Sequence, residues 1–165
     1  MEGHRVAIRI LGIAPTSHGY AFAVAEGPAR LVDWARCDLL PRSRLELRLT
    51  RLVDRTRPLF VAAEIARNQK LSAKSRAFNK ALQAVCEREG LMILCVERHN
   101  VYAPNRGSRP VTNHEIATAA AERFPEVANK LPSRRRLWHG RDDGIGILLA
   151  AALAAAGWKH FQKRP

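Results

Sequence analysis

The chain has 165 residues and carries 28 Lys and Arg against 15 Asp and Glu, for a formal net charge of +13. This length suits one domain over 1–165, and an apolar content of 47% is too high for a disordered basic tail. The longest nearly uncharged apolar stretch, Ile145–Trp158, is shorter than the ~20 residues that span a bilayer. The N-terminus shows no signal region. We therefore expect a cytoplasmic globular protein with no membrane partner.

The three cysteines, Cys37, Cys86 and Cys95, lie far apart and form no CxxC pair. This scattered, odd-numbered set argues against a disulfide framework and against a zinc cluster. We expect all three to be reduced residues in or near the core, as free cysteines commonly are.

The apolar pattern predicts three strands followed by alternating helices and strands. The strands are expected at Arg5–Ile13, Tyr20–Ala25 and Ala29–Cys37, with short turns rich in Pro and Gly between them. The later elements are helix Ser43–Thr56, strand Leu59–Ala63, helix Leu71–Glu89, strand Leu91–Val96, helix Thr112–Phe124, an Ala-rich helix from near Asp142 to about Ala156, and a basic C-terminal tail over 157–165.

This order predicts the fold class. Two short turns joining three strands indicate an antiparallel meander, and the helical crossovers that follow place two further strands parallel to it. We expect an α/β fold of three layers, in which a mixed five-stranded sheet is covered by helices on both sides.

The excess positive charge lies in segments without acidic residues. Such clusters attract polyanions, and they favour nucleic acid as the partner. The candidate binding residues are Arg67, Lys70, Lys74, Arg76, Arg106, Arg109, Arg134, Arg135, Arg136 and Arg141. A further set, Arg44, Arg48, Arg51 and Arg55, recurs at helical spacing, and for this set a solvated helix face is an equally good interpretation.

Few acidic residues stand at positions where chemistry is expected. Glu64 ends an otherwise apolar strand, where its carboxylate needs a cation, a metal ion or open solvent. Asp142 and Asp143 open the last helix, where acids also complement the helix dipole. In a sheet of this kind ligands gather at the carboxyl ends of the parallel strands, so these acids are candidate site residues.

Several segments resemble one family. The stretch LGIAPTSHGYAFAV (11–24) is similar to the opening strand-turn-strand of the RuvC family of Holliday junction resolvases, which typically reads ILGIDPGS followed by GY or GF. Phe60–Glu64 resembles the strand that ends in that family's catalytic Glu. Tyr102–Pro104 with Val111 and Thr112 is similar to its loop before the third helix, and Asp142–Ala156 resembles its acidic start to an Ala-rich last helix.

The resemblance implies a ribonuclease H-like fold and a metal-dependent nuclease for branched DNA. In that family four acidic groups, one of them sometimes a His, hold two Mg²⁺ or Mn²⁺ ions for phosphodiester hydrolysis. By resemblance the catalytic residues here are Glu64, Asp142, Asp143 and His139, and the metal ligands are Glu64 and Asp142. If the chain is not active, no cofactor is expected.

The sequence departs from the family at the centre of this site. Ala14 stands where the family has its first-strand Asp, and a methyl group cannot bind a cation. Thr16 stands where the family usually has Gly. On the last helix, His139 and Asp142 reproduce the family's His/Asp-x-x-Asp spacing, whereas an alignment on the Ala-rich run puts Leu149 in the acidic position.

Three hypotheses follow. The chain is a non-catalytic nucleic-acid-binding protein, for branched or duplex DNA, whose catalytic site is compromised; or it is an active Mg²⁺-dependent endonuclease; or it is a variant of one engineered to be inactive. A role in protein interaction, including a homodimer paired through the Ala-rich helix, is an open alternative. An actin-like ATPase would need a second such domain, which 165 residues do not supply.

Overall fold

A computed structural model describes residues 6–38, 44–64, 72–97, 112–132 and 143–164. Its strands are β1 (Ile10–Pro15), β2 (Gly19–Gly27), β3 (Arg30–Asp38), β4 (Phe60–Glu64) and β5 (Ile93–Val96). Its α-helices are α1 (Leu45–Thr56), α2 (Ala73–Glu89), α3 (Asn113–Arg123) and α4 (Asp143–Gln162), and a 3₁₀ helix covers Pro125–Lys130.

The five strands form one mixed sheet in the order β3-β2-β1-β4-β5. β1 pairs with β2 and β2 with β3 in antiparallel fashion, whereas β4 is parallel to both β1 and β5. The turn between β1 and β2 is closed by a hydrogen bond from the Thr16 amide to the Gly19 carbonyl oxygen, 2.9 Å long. The predicted meander with two parallel strands is confirmed.

Helices cover both faces of this sheet because alternate strand residues point to opposite sides. On one face Ile10, Ala14, Ala23 and Ala62 form a core with α3 and α4. On the other face Leu11, Ile13, Val24 and Val61 pack against α1 and α2. The fold is the ribonuclease H-like arrangement of three layers expected from the sequence.

The ends of the helices have identifiable causes. Thr112 and Glu115 form the predicted capping box at the start of α3, and Gly90, with φ of 67°, ends α2 in the left-handed region. Arg57 takes the same role after α1 with φ of 46°, and its amide donates to the Val53 carbonyl oxygen. A left-handed arginine costs more than a left-handed glycine, and the Pro that follows prevents the helix from continuing.

Four local features differ from the expectations. Strand β1 covers Ile10–Pro15, whereas the sequence predicted a strand at Arg5–Ile13, so its start lies several residues later in the chain. The segment Pro125–Lys130, predicted as part of a basic loop, forms a 3₁₀ helix. Helix α4 continues past Ala156 to Gln162, with Trp158 buried, so the first part of the expected basic tail is helical. Cys95 is exposed on β5, whereas Cys86 is buried and Cys37 is half-buried.

Helix α4 is the central helix of the core. By length and composition, the segment Gly144–Gln162 is apolar enough to cross a bilayer. It is longer than the stretch Ile145–Trp158 considered in the sequence analysis, because the helix continues to Gln162. In the structure more than half of it is buried, and it packs along β1, β2 and β4 and against α3. Its apolar character is therefore accounted for by packing within the chain.

Candidate functional site

The carboxyl ends of β1, β3, β4 and β5 lie on the same side of the sheet, which we call the carboxyl edge; it is formed by the strand ends Pro15, Asp38, Glu64 and Val96. The opposite side, where Ile10 and Phe60 begin their strands, is the amino edge.

Ala14 and Glu64 are neighbours at the carboxyl edge. The parallel register of β1 and β4 pairs Ile13 with Ala63, so Ala14 and Glu64 each follow the same paired position. Both side chains point to the face covered by α4, because Ala14 belongs to that core and Glu64 alternates in phase with Ala62. Ala14 is 5% exposed, whereas Glu64 is half-buried.

Helix α4 begins at this edge and runs back across the sheet, antiparallel to β1. Gly146 lies beside Thr16 and Ala21, Gly12 lies against the backbone of Ala150, and Gly157 lies beside Ile10. Asp143 precedes Gly146 by three residues, about 4.5 Å along the helix axis. The start of α4 therefore lies at the carboxyl edge, as the resemblance implies, whereas the side chain of Asp143 is outside the described part of the structure.

The described residues by themselves do not form a two-metal centre, and the side chains of His139, Asp142 and Asp143 lie outside the described part of the structure. Such a centre needs several carboxylate or imidazole ligands that converge on the ions, and the described part of the chain contains no group of three or more His, Cys, Asp or Glu side chains. Ala14 offers only a methyl group, and Leu149 packs against the apolar core. At this edge the Thr16 hydroxyl is buried without a hydrogen-bond partner among the described residues, and a neutral hydroxyl does not replace a bridging carboxylate.

Positive charge is present at the carboxyl edge. The Lys74 Nζ donates a hydrogen bond to the Ser17 carbonyl oxygen, 3.2 Å away, so the first turn of α2 is attached to the β1–β2 turn. That first turn contains no acidic residue, and its N-terminus is capped by the Ser72 hydroxyl, which accepts from the Ser75 amide. Lys74 and Arg76 are both exposed. The positive end of the helix dipole and these cations together favour a bound anion.

Of the four arginines in α1 or at its N-cap, two hold the helix to the sheet. An Arg48 Nη donates to the Asp38 carbonyl oxygen at 3.0 Å. Arg55 pairs with Asp33 at 3.0 Å, and its guanidinium lies 5.4 Å from the centre of the Phe22 ring. Arg44 and Arg51 are exposed. The arginine face of this helix is therefore divided between packing against the sheet and exposure to solvent.

Most of the predicted site residues lie outside the described part of the structure. Lys74, Arg76 and Glu64 are described and lie at or near the carboxyl edge. The residues that are not described are Arg67, Lys70, Arg106, Arg109, Arg134, Arg135, Arg136, His139, Arg141 and Asp142.

Sequence reasoning did not identify the glycines that set the distance between α4 and the sheet. A Cβ built on Gly12 would lie only 2.0 Å from the Ala150 carbonyl oxygen, and one on Gly146 would lie 2.9 Å from Thr16 Cγ2. The available signal was the presence of Gly144 and Gly146 in a helix of otherwise good helix-forming residues, where glycine costs about 1 kcal/mol.

One buried hydroxyl near the edge is held in its neutral form. Tyr20 pairs with Pro15 across the β1–β2 ladder and lies directly opposite Cys37 on β3. Burial, and then the hydrogen bond with the Cys37 thiol, raises the pKa of Tyr20 far above its ordinary value. The phenol is therefore not available as a base.

Comparison with known proteins supports the fold by structure alone. The sequence matches no protein-family model, and no curated protein is significantly similar to it. Among solved structures, Thermus thermophilus RuvC matches with a TM-score of 0.66 and 18% identity over 94% of this chain and 96% of that chain. T. thermophilus RuvC in complex with a Holliday junction matches with a TM-score of 0.67 and 17% identity over the same shares.

A viral resolvase also matches. The fowlpox virus Holliday junction resolvase aligns with a TM-score of 0.58 and 10% identity, over 93% of this chain and 99% of that chain. The chain therefore has a RuvC-like resolvase fold within the ribonuclease H-like class. The similarity extends over nearly the whole length of both the bacterial and the viral proteins.

Proposed function

We propose that this chain is a RuvC-like nucleic-acid-binding protein that recognises branched or structured DNA and lacks a working two-metal nuclease centre. The observation that carries the proposal is the composition of the carboxyl edge. A methyl group, Ala14, stands beside Glu64 at the end of the central strands, while Lys74 and the N-terminus of α2 keep positive charge there.

The solved relatives support DNA as the partner. T. thermophilus RuvC is described in complex with a Holliday junction substrate, and the fowlpox virus resolvase in complex with Holliday junction DNA. A net charge of +13 favours the same class of polyanion. We also propose that the protein acts in the cytoplasm, as the sequence analysis expects.

Binding to a four-way DNA junction tests this proposal. Each phosphate neutralised by Lys or Arg releases counterions, so contact with about four phosphates should weaken binding ~100-fold between roughly 50 and 200 mM salt. Competition with a duplex of the same sequence separates junction recognition from binding to any DNA. Binding that is insensitive to salt, or absent at low salt, would contradict the proposal.

A second candidate function is Mg²⁺- or Mn²⁺-dependent cleavage of DNA. The observation that favours it is the position of Glu64. This carboxylate ends β4 at the edge where α4 begins, which is where the resemblance places the catalytic Glu. Asp142, Asp143 and His139 would have to supply the remaining ligands. Junction cleavage in the presence of either metal, lost in Glu64→Gln, would establish this function.

A homodimer is a separate proposal. The Ala-rich helix that suggested pairing of two chains already packs within its own chain, since Ala150, Ala151 and Ala154 are fully buried against the sheet. A homodimer would therefore have to use other surfaces. The molar mass from light scattering distinguishes a monomer from a dimer.

A further inference from the structure

A row of exposed apolar side chains lies along the amino edge of the sheet. The large apolar side chains that are exposed in the described part of the chain are Val6, Ile8, Leu47, Leu59 and Met92. Leu59 and Met92 come directly before β4 and β5, and the two earliest members precede β1. The Leu59 amide donates to the Arg9 carbonyl oxygen at 2.7 Å, which holds the segments before β1 and β4 side by side. Exposed apolar residues that are grouped in this way mark interaction surfaces.

On the face covered by α1 and α2, this edge holds an acidic cavity of about 570 Å³. It lies between the carboxyl ends of the two helices and is lined by Val53, Asp54, Arg57, Pro58, Glu89 and Leu91. Asp54 and Glu89 are exposed, and neither forms an ion pair with another described residue. Two acids thus stand against one cation, Arg57, where the negative ends of two helix dipoles add to them. The cavity therefore favours a cationic partner.

On the opposite face, the end of α4 gives the same edge a positive charge. We call its exposed cations the basic end; they are Lys159, Lys163 and Arg164. The Arg164 guanidinium lies 5.9 Å from the centre of the Phe60 ring, and its Nη2 lies 3.6 Å from Met92 Sδ. The basic end therefore borders the apolar row, and no carboxylate among the described residues forms an ion pair with it.

We infer that the amino edge is the surface on which two copies of this chain pair, about a two-fold axis that runs along the edge. A half-turn about such an axis exchanges the two faces of the sheet, so the acidic cavity of each copy meets the basic end of the other. The apolar row lies between these two charged contacts and covers its own symmetry mate. An apolar centre with a charged rim is the usual composition of a protein interface.

This surface belongs to the homodimer proposed above, so the inference rests on that proposal. Pairing through the amino edges leaves both carboxyl edges free, and it points them in opposite directions. Each copy therefore binds its own DNA molecule, and the dimer holds two of them.

Charge reversal on either face tests the pairing without DNA. The acidic-face variant combines Asp54→Lys with Glu89→Lys, and the basic-face variant combines Lys163→Glu with Arg164→Glu. Sedimentation velocity over a range of concentrations should show dimerisation weakened at least ~100-fold in each, because like charges then meet at both symmetric contacts. Dimerisation as strong as that of the unsubstituted chain in both variants would overturn the inference.

Mixing the two variants tests which faces meet. In the mixed dimer the introduced lysines of one copy face the introduced glutamates of the other, and the unsubstituted acidic cavity faces the unsubstituted basic end. A 1:1 mixture should therefore dimerise although neither variant does so alone. A mixture that stays monomeric, with both variants folded by circular dichroism, would overturn the inference.

A second pair of variants decides the question if a charge variant does not fold. Leu59→Ser should weaken dimerisation at least ~10-fold, because Leu59 is 50% exposed in one copy and becomes covered on pairing. Leu47→Ser is the matched control: Leu47 is 48% exposed, but it lies in the first turn of α1, at the carboxyl edge. Equal dimerisation of these two variants would overturn the inference.

Failure of this surface and failure of the proposed function give different results. A chain that is monomeric at every concentration would remove the homodimer and this surface, and would leave the amino edge to a partner of another kind. A dimer that none of these variants weakens would keep the homodimer and remove this surface. Failure to bind junction DNA would remove the proposed binding function and leave the sedimentation results unaffected.

Discussion

Lys74 Nζ donates a hydrogen bond to the Ser17 carbonyl oxygen, and this contact joins the first turn of α2 to the turn between β1 and β2. The lysine comes from an acid-free segment of the chain, and the turn follows the strand that ends beside Glu64. The contact therefore holds a positive charge at the carboxyl edge, where the proposed DNA would lie.

Lys74→Gln should weaken junction binding several-fold and make it less sensitive to salt. Removing one phosphate contact lowers the slope of log affinity against log salt by about 0.9 for duplex DNA. The matched control is Lys163→Gln, because Lys163 is exposed just beyond the end of α4, near the amino edge. An equal loss of affinity in both variants would mean that the carboxyl edge has no special part in binding.

Gly12→Ala should destabilise the chain by at least about 3 kcal/mol, because the new Cβ would meet the Ala150 carbonyl oxygen at 2.0 Å. The helix would have to move away from β1 along its length. Gly27→Ala is the control, since its Cβ would make only an ordinary contact at 3.9 Å with Arg30 Cβ. Urea unfolding measures both, and a small effect at Gly12 would contradict the packing of α4 described here.

Arg55→Ala should lower the free energy of unfolding by about 1 kcal/mol, because it removes the exposed pair with Asp33 and the cation–π contact with Phe22. Arg51→Ala, on the same helix and exposed, should leave stability unchanged. The two variants remove the same charge, so chemical denaturation separates an anchoring arginine from a solvated one. Equal stabilities would show that Arg55 does not hold α1 to the sheet.

Stability should fall as the pH rises above about 9. Burial raises the pKa of Cys86 to about 11, whereas in the unfolded chain its pKa returns to the ordinary value of 9.0. The folded state therefore keeps a proton that the unfolded state loses between these pH values, and this difference favours unfolding. Thermal unfolding across pH 8–11 measures the effect. In Cys86→Ala the midpoint should depend less steeply on pH, and an unchanged slope would contradict the assignment.

The overall fold could be predicted because its signals are local. The turn around Thr16 and Gly19, the glycine that ends α2 and the capping box of Thr112 and Glu115 are each set by residues close in sequence. These features divided the chain into the right elements in the right order. The structural neighbours then bear out the ribonuclease H-like arrangement that this order implied.

The candidate site could be predicted only in part, because its packing depends on residues distant in sequence. The apolar pattern predicted that Glu64 ends a strand. It did not predict that Gly146 approaches Thr16, because these two positions are far apart in the chain. The arginine spacing on α1 was also readable, yet it did not reveal that Arg55 is paired with Asp33 on β3. Periodicity gives the face on which a residue lies and does not give its tertiary partner.

The most direct test of the account is to incubate the unsubstituted chain with a labelled four-way DNA junction and either Mg²⁺ or Mn²⁺, and to measure bound complex and cleaved product in the same sample. The account predicts a salt-sensitive complex and no product, with Glu64→Gln giving the same result. Cleavage by the unsubstituted chain that Glu64→Gln abolishes would contradict it.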